Sequence, residues 1–278
     1  MRGLLTIAHL TIYDARRRKM LTAAALCGGL FLIVFWTAVF LTQRELATSN
    51  KAYLVRQASF VLLSLAGLYA ANFLAVLLAA LLPVDALSGE IDSGVMQTLA
   101  SKPLRRSDIL LGKWLGYGAV ILTYFLVLAA GVLLATRLAA GYQQLNIGVA
   151  LPLIVLELAL LLTVSIAGGT RFGTVTNGIL ALGFYGVAFI GGWVEQIGAV
   201  SGVRSARMLG IAVSLFSPPD TLWRMAAYYL QPPIAREMFS TAPFSSATVP
   251  SALMVWWAGG FTLAVLAFAL LSFNRRQL

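Results

Sequence analysis

The sequence is short of the side chains that most catalytic and metal sites use. Its 278 residues include one cysteine, Cys27, and one histidine, His9. A single cysteine excludes an intramolecular disulfide and a cysteine metal cluster. A single histidine leaves the usual histidine metal sites and a Ser-His-Asp triad without their parts. We therefore expect no bound metal and no hydrolytic chemistry in this chain.

Charge is also scarce. Charged residues make up 11% of the chain and hydrophobic residues 60%, whereas a soluble domain is about a quarter charged. So few charges cannot cover a water-exposed surface, which excludes a soluble globule and indicates an integral membrane protein. The net charge of +10 would suggest a nucleic-acid partner in a soluble chain. Here the basic residues lie in segments between apolar runs, so they indicate membrane orientation and no nucleic-acid binding.

Six apolar runs are long enough to cross a hydrocarbon core of roughly 30 Å, which takes about 20 helical residues. They lie at residues 20–42, 57–82, 114–136, 149–170, 174–194 and 251–273. The runs are continuously apolar and lack the alternation of barrel strands. The sequence thus predicts an all-α polytopic protein with one transmembrane domain over residues 1–278.

The distribution of basic residues predicts the orientation. With an even number of spans both termini share a side. On that side lie Arg2, Arg16, Arg17, Arg18, Lys19, Lys102, Arg105, Arg106, Lys113, Arg171, Arg275 and Arg276. The short loops opposite hold Arg44, Lys51, Arg56 and Arg137, and a long loop adds Arg204, Arg207, Arg224 and Arg236. Because basic residues in short loops set the orientation, both termini are predicted to lie on the cytoplasmic side. The protein is predicted to reside in the inner (cytoplasmic) membrane.

Residues 1–19 form a separate, basic segment. At 100° per residue, Leu4, Ile7, Thr11 and Ala15 fall on one apolar arc, and His9 falls on the polar arc opposite. This pattern predicts an amphipathic helix in the headgroup layer. A solvated basic arm is the alternative.

The loop at residues 83–113 is the polar stretch with the densest charge on the predicted cytoplasmic side. Four acidic residues face four basic ones: Asp85, Glu90, Asp92 and Asp108 against Lys102, Arg105, Arg106 and Lys113. A loop that only sets orientation would not need the acids. We expect a short helix here that ends at Pro103, with the third long helix starting near Ser107 and Asp108.

The residues of this loop resemble those of ABC-2 type permeases, the membrane subunits of ATP-binding-cassette transporters, and in particular the six-span NosY-like branch. The shared pattern is Gly89-Glu90, Ser93-Gly94, Leu99, Pro103, Arg105-Arg106 and Gly112-Lys113. The basic N-terminal helix, the Ser217-Pro218-Pro219-Asp220 element and the terminal Phe273-Asn274-Arg275-Arg276 extend the resemblance to nearly the whole chain.

The resemblance implies that the short helix is a coupling helix seated in a groove of a separate ATPase. The implied contacts are Glu90, Asp92, Ser93, Gly94, Met96, Gln97, Lys102, Pro103, Arg105, Arg106 and Lys113. Alternatively, Glu90 caps the helix or pairs with Lys102 or Arg105 within its own loop. The family assembly implies two permeases with two ATPases, which would bind ATP and Mg²⁺. This chain is expected to bind no cofactor, because Trp114 follows Gly112-Lys113 and the phosphate-binding pattern G-x-x-x-x-G-K-[ST] is absent.

Two polar positions stand out inside the predicted spans. Glu157 lies midway along the fourth span and Asn72 deep in the second. A carboxylate at the bilayer centre costs roughly 2.5 kcal/mol or more unless it is paired or protonated. We predict either a place on the transport pathway for both residues or a structural hydrogen bond between helices.

Residues 195–250 form the largest segment outside the predicted spans. Asp220 is expected to cap a helix that contains Trp223. The segment is interpreted as an external cap over the pathway, or as a dock for a periplasmic or extracellular partner.

The resulting hypothesis is a non-catalytic permease subunit of an exporter, energised by its ATPase partner. A complex that acts in protein or cofactor maturation or in mechanotransmission is the alternative. An intramembrane enzyme is less favoured, because Glu157 and Asn72 alone are thin support for catalysis.

Overall fold

The computed structural model describes residues 2–48, 53–89, 105–232 and 250–275. Within these ranges the regular structure is helical. In chain order the helices are α1 (Arg2–Arg17), α2 (Lys19–Thr48), α3 (Tyr53–Leu81), α4 (Arg106–Ala140), α5 (Ile147–Gly169), α6 (Thr174–Ser201), α7 (Arg204–Phe216), α8 (Pro219–Leu230) and α9 (Leu253–Arg275).

Six helices in the described ranges are long and apolar enough to cross a membrane: α2, α3, α4, α5, α6 and α9. The predicted six-span, all-α architecture is confirmed. The helices extend beyond the apolar runs, most clearly at α4, which begins at Arg106. A helix continues into the interfacial layer because its hydrogen bonds are internal and do not depend on lipid.

The centre of the bundle is formed by α3 and α5. The most apolar window of α3 is 56% buried and that of α5 is 50% buried, against 17% for α2 and for α9. The helix α4 packs against α3 and α2, and α9 packs against α5. The side chains of α2 and α9 therefore face mainly outward, where lipid is the solvent.

The N-terminal helix α1 crosses α4 at two glycines. A Cβ atom on Gly112 would lie 2.7 Å from Cβ of Ile7, and one on Gly116 would lie 2.7 Å from Cβ of Thr11. Ile7 and Thr11 are buried in this contact, whereas Leu5 is exposed. The predicted amphipathic helix is present, but most of its apolar arc covers α4 instead of facing the headgroup layer.

The segment after the fifth span folds back on the bundle. The helix α6 continues to Ser201, α7 packs along α6, and α8 packs against α5. The loop between α4 and α5 holds the end of α8, since Gln144 donates to the Leu230 carbonyl at 2.6 Å and Asn146 to the Tyr229 carbonyl at 3.1 Å. The predicted external segment thus begins as the end of a span and continues as a packed helical pair.

Candidate functional site

The turn after α3, residues 82–89, directly precedes the predicted coupling segment in the chain. Arg18, between α1 and α2, forms a hydrogen-bonded ion pair with Asp85. Lys113 of α4 donates from Nζ to the Ala86 carbonyl at 2.7 Å. Two basic side chains, Arg18 before α2 and Lys113 in α4, therefore hold the turn.

Two contacts from α6 hold the same turn. Asn177 is buried, and its Nδ2 donates to the Val84 carbonyl at 3.1 Å and to the Ser165 carbonyl at 2.9 Å. The hydroxyls of Ser88 and Thr174 lie 3.0 Å apart. The turn is thus joined to α4, to α6 and to Arg18 between α1 and α2, and Asn177 links it to α5.

Most of the predicted ATPase contacts lie outside the described residues: Glu90, Asp92, Ser93, Gly94, Met96, Gln97, Lys102 and Pro103. Arg105 is exposed at the start of α4. Arg106 donates to the Asn274 carbonyl at the end of α9, at 3.1 Å. These two arginines flank the point where the chain enters α4.

Lys113 is buried and contacts its own chain. Its side chain is 5% exposed, and its ammonium points into the chain at the Ala86 carbonyl. A lysine can reach a backbone carbonyl in this way because its long stem packs along apolar surface. The structure gives Lys113 a bracing contact within the chain, and its contact with the ATPase stays a prediction.

The two polar residues predicted inside the spans lie against each other. Asn72 of α3 donates from Nδ2 to Oε2 of Glu157 on α5 at 3.1 Å. The two side chains are 1% and 0% exposed. Among the described residues, Oδ1 of Asn72 and Oε1 of Glu157 have no hydrogen-bond partner. We call Asn72 and Glu157 the bundle pair. Their burial within one chain supports the interhelical hydrogen bond, and a place on the pathway stays a prediction.

A second buried polar group joins α6, α7 and α8. Arg224 donates from Nη2 to Glu195 Oε2 at 2.9 Å and to the Ser214 hydroxyl at 3.2 Å. Its Nε lies 3.0 Å from Asp220 Oδ2, in an ion pair whose N–H does not point at the oxygen. Thr221 accepts at 3.4 Å. These five residues, Glu195, Ser214, Asp220, Thr221 and Arg224, are called the cap cluster.

Burial and the charge of Arg224 have opposite effects on the pKa of Asp220 in the cap cluster. Burial raises the pKa of Asp220 to about 6, although Arg224 acts in the opposite direction. Burial alone would lower the pKa of Arg224, but Asp220 and Glu195 more than offset it and raise that pKa overall. The guanidinium therefore stays charged and holds the two carboxylates together.

Asp220 does not cap α8 as the sequence predicted. The helix begins at Pro219, and the cap residue is Pro218, without a side-chain cap hydrogen bond. Asp220 lies in the first turn, and its carboxylate packs against the backbone of α6, where a Cβ on Gly192 would lie 1.8 Å from Oδ2. The ion pair with Arg224, one turn later, is the interaction that draws this carboxylate away from the helix end.

Trp223 is part of the core and is 4% exposed. Its ring meets Tyr69 of α3 edge to face, with centroids 5.3 Å apart. Tyr69 lies one helical turn from Asn72, so the cap cluster and the bundle pair are neighbours. The predicted docking of an external partner finds no support in the buried side chain of Trp223.

The sequence-based prediction missed Glu195 and Ser214. Two signals were present in hindsight: Asp220 and Arg224 are spaced to share a helix face, and Glu195 is an acid at the end of an otherwise apolar run. Which acid meets the arginine depends on how α7 folds back, and the sequence pattern does not specify that path.

Comparison with known proteins identifies the family of this chain. The family model described as "ABC-2 family transporter protein" matches residues 5–278. The chain belongs to the ABC-2 transporter family. The resemblance found in the loop motif is therefore confirmed, and with it the character of a multi-pass membrane protein.

Two curated proteins are similar to part of the chain. The "Probable ABC transporter permease protein NosY" of Pseudomonas aeruginosa is 34% identical over 117 residues, which is 42% of this chain and 39% of that protein. The protein with the same name from Stutzerimonas stutzeri is 31% identical over 116 residues, 41% of this chain and 38% of that protein. The aligned part thus spans about two fifths of the length of these relatives.

Proposed function

We propose that this chain is the membrane-spanning permease subunit of an ATP-binding-cassette exporter, and that a separate ATPase docks on the segment between α3 and α4. Membership of the ABC-2 family and the permease names of the two relatives support this. The observation that carries the proposal is the braced turn at residues 82–89, held by Arg18, Lys113 and Asn177. A segment that transmits force needs such a firm connection to the spans.

ATP hydrolysis belongs, in this proposal, to the partner. The chain lacks the phosphate-binding pattern, so the site for ATP and Mg²⁺ would lie in the ATPase. Two permeases and two ATPases would form the assembly, with the pathway between the permeases. The purified chain alone should hydrolyse no ATP.

The docking test reverses two charges in the predicted coupling segment. Glu90→Arg combined with Asp92→Arg should weaken co-purification with the co-expressed ATPase, because each reversed charge meets its partner with repulsion. The matched control is Glu45→Arg, an acid-to-base change on the opposite side of the bundle. ATPase binding that is unchanged in the double variant would refute docking at this segment.

The orientation is tested by cysteine labelling. In a chain with Cys27→Ser, a cysteine at Ser101 should react only from the cytoplasmic side, and a cysteine at Asn50 only from outside. We expect this because the side of the membrane that contains Ser101 has more basic residues in its short segments than the opposite side. Labelling of each cysteine from the opposite side would contradict the predicted cytoplasmic location of both termini.

A further inference from the structure

A cavity outside the clusters described above lies where the last turn of α9 meets the turn after α5. Its volume is about 510 Å³, and its lining residues are Thr170, Arg171, Phe268, Leu271, Ser272 and Arg275. We call it the α5–α9 cavity. Both flanking helices are spans, and the residues belong to the ends of those spans. The cavity therefore opens where the hydrocarbon core gives way to the headgroup layer.

The chain holds Arg171 in a fixed orientation at this cavity. Its Nε donates to the Ser272 hydroxyl at 3.1 Å, and its guanidinium carbon lies 5.1 Å from the centroid of the Phe268 ring. The Thr170 hydroxyl donates to the Ala167 carbonyl at 2.7 Å and lies 3.2 Å from the same Ser272 hydroxyl. Stacking on an aromatic face and one hydrogen bond restrict the guanidinium plane and leave its terminal nitrogens directed elsewhere.

A second arginine, Arg275, lines the same cavity. Arg275 is exposed in the last turn of α9. Within residues 2–48, 53–89, 105–232 and 250–275, neither Arg171 nor Arg275 forms an ion pair with a carboxylate. The cavity thus brings together two positive charges, which suit an anion with several acceptor oxygens.

The wall of the cavity is apolar on the membrane side. Phe268 is 47% exposed and Leu271 is 58% exposed. Farther along the same span Leu263 is also exposed, at 68%. An occupant with a charged head and a hydrocarbon tail would therefore contact the arginines with one end and α9 with the other.

We propose that the α5–α9 cavity binds the headgroup phosphate of an anionic phospholipid. Basic pockets between transmembrane helices on the cytoplasmic side bind anionic headgroups, and a guanidinium can contact two phosphate oxygens at once. A zwitterionic lipid carries the same phosphodiester, but its ammonium group would be repelled by the second arginine. The side of the membrane rests on the proposed orientation, whereas the binding itself does not.

The test compares two lipids on the purified full-length chain. Native mass spectrometry in detergent should detect retained dioleoyl-phosphatidylglycerol, with much weaker retention of dioleoyl-phosphatidylcholine. Arg171→Gln combined with Arg275→Gln should lower the affinity for phosphatidylglycerol by about fivefold for each arginine. Arg204→Gln with Arg207→Gln, the same charge loss at exposed positions of α7, is the matched control and should retain the lipid.

The single variant Arg275→Gln guards against a folding defect, since this side chain is exposed in the last turn of α9. Equal retention of phosphatidylglycerol in Arg275→Gln, in the double variant and in wild type would overturn the proposal, as would equal retention of the two lipids.

Millimolar inorganic phosphate distinguishes the two sources of the anion. Failure of phosphate to displace phosphatidylglycerol supports the lipid site, and full displacement overturns it in favour of a free-phosphate site. A photoactivatable phosphatidylglycerol should crosslink near Leu271, and crosslinking confined to other helices would also overturn the site.

A last arm separates lipid from protein. If the double variant loses the co-expressed ATPase but keeps phosphatidylglycerol, the arginines serve the ATPase and the lipid proposal fails. The lipid measurement uses neither ATPase nor membrane sidedness, so failure of the proposed transport function would leave its outcome unchanged.

Discussion

The cap cluster and the bundle pair both bury carboxylates, but they compensate them differently. In the cap cluster, Arg224 contacts Glu195 and lies beside Asp220, so a cation neighbours both acids. In the bundle pair, Glu157 meets the neutral amide of Asn72. The two groups are close neighbours, and the difference between them lies in chemistry more than in position.

This difference separates two ways of burying polar groups. An ion pair out of water is costly to assemble, and removal of one partner leaves a buried charge that is more costly still. A single hydrogen bond contributes less, and replacing both of its partners by apolar groups can be nearly neutral. The cap cluster should therefore be sensitive to any unbalanced change, and the bundle pair only to changes that leave one partner alone.

The largest effect is expected from Arg224→Met. The change leaves the buried carboxylate of Asp220 and the partly buried carboxylate of Glu195 without a cation, and it should lower the free energy of unfolding by about 3–5 kcal/mol. An SDS titration of the purified chain measures this. Arg204→Met, at an exposed position of α7, should stay within about 0.5 kcal/mol of wild type. If the two variants were equally stable, the cap cluster would not be more sensitive to an unbalanced change than the bundle pair.

The second prediction concerns pH. Burial raises the pKa of Asp220 from its ordinary 3.8 to about 6. Between these values the folded chain binds more protons than the unfolded chain, so stability should fall as pH rises from 3.8 to 6 and then level off. The contribution is at most about 3 kcal/mol.

The comparison for this prediction is Asp220→Asn, which lacks the titrating group and should lose that part of the slope. SDS titrations of both chains across the pH window provide the measurement. Parallel curves for wild type and Asp220→Asn would show that another group produces the pH dependence.

The bundle pair shows how far the sequence could go. Six spans followed from apolar length alone, because the hydrocarbon core demands it. Asn72 and Glu157 stand out because few strongly polar side chains lie deep in the spans, but the sequence leaves open whether they pair or line the pathway. Hydropathy and helix periodicity are local signals, and they carried these predictions.

The cap cluster and the braced turn show where local signals stop. Arg224 reaches Glu195 only because α7 folds back along α6. Lys113 was interpreted as an ATPase contact, but its stem is long enough to turn inward to the Ala86 carbonyl. The contact between α1 and α4 at Gly112 and Gly116 is likewise a matter of how two helices cross. These three contacts depend on how the helices pack in three dimensions, which residue types and their spacing do not determine.

The smallest effect is predicted for the bundle pair. Glu157→Leu removes the acceptor for Nδ2 of Asn72 and leaves a buried amide unsatisfied, so the free energy of unfolding should fall by about 1–3 kcal/mol. Glu157→Gln keeps an acceptor of the same shape and should change stability by less than about 0.5 kcal/mol. SDS titration again provides the measurement.

The decisive control removes both partners of the bundle pair. Asn72→Leu combined with Glu157→Leu leaves no unsatisfied polar group and should recover most of the stability lost in Glu157→Leu alone. The equivalent change in the cap cluster, Arg224→Met with Asp220→Leu, still leaves the partly buried Glu195 without its cation and should not recover the lost stability. If Glu157→Leu is as stable as Glu157→Gln but lowers ATPase-coupled activity, Glu157 acts on the pathway. A fall in stability rescued by the double change assigns it to packing between α3 and α5.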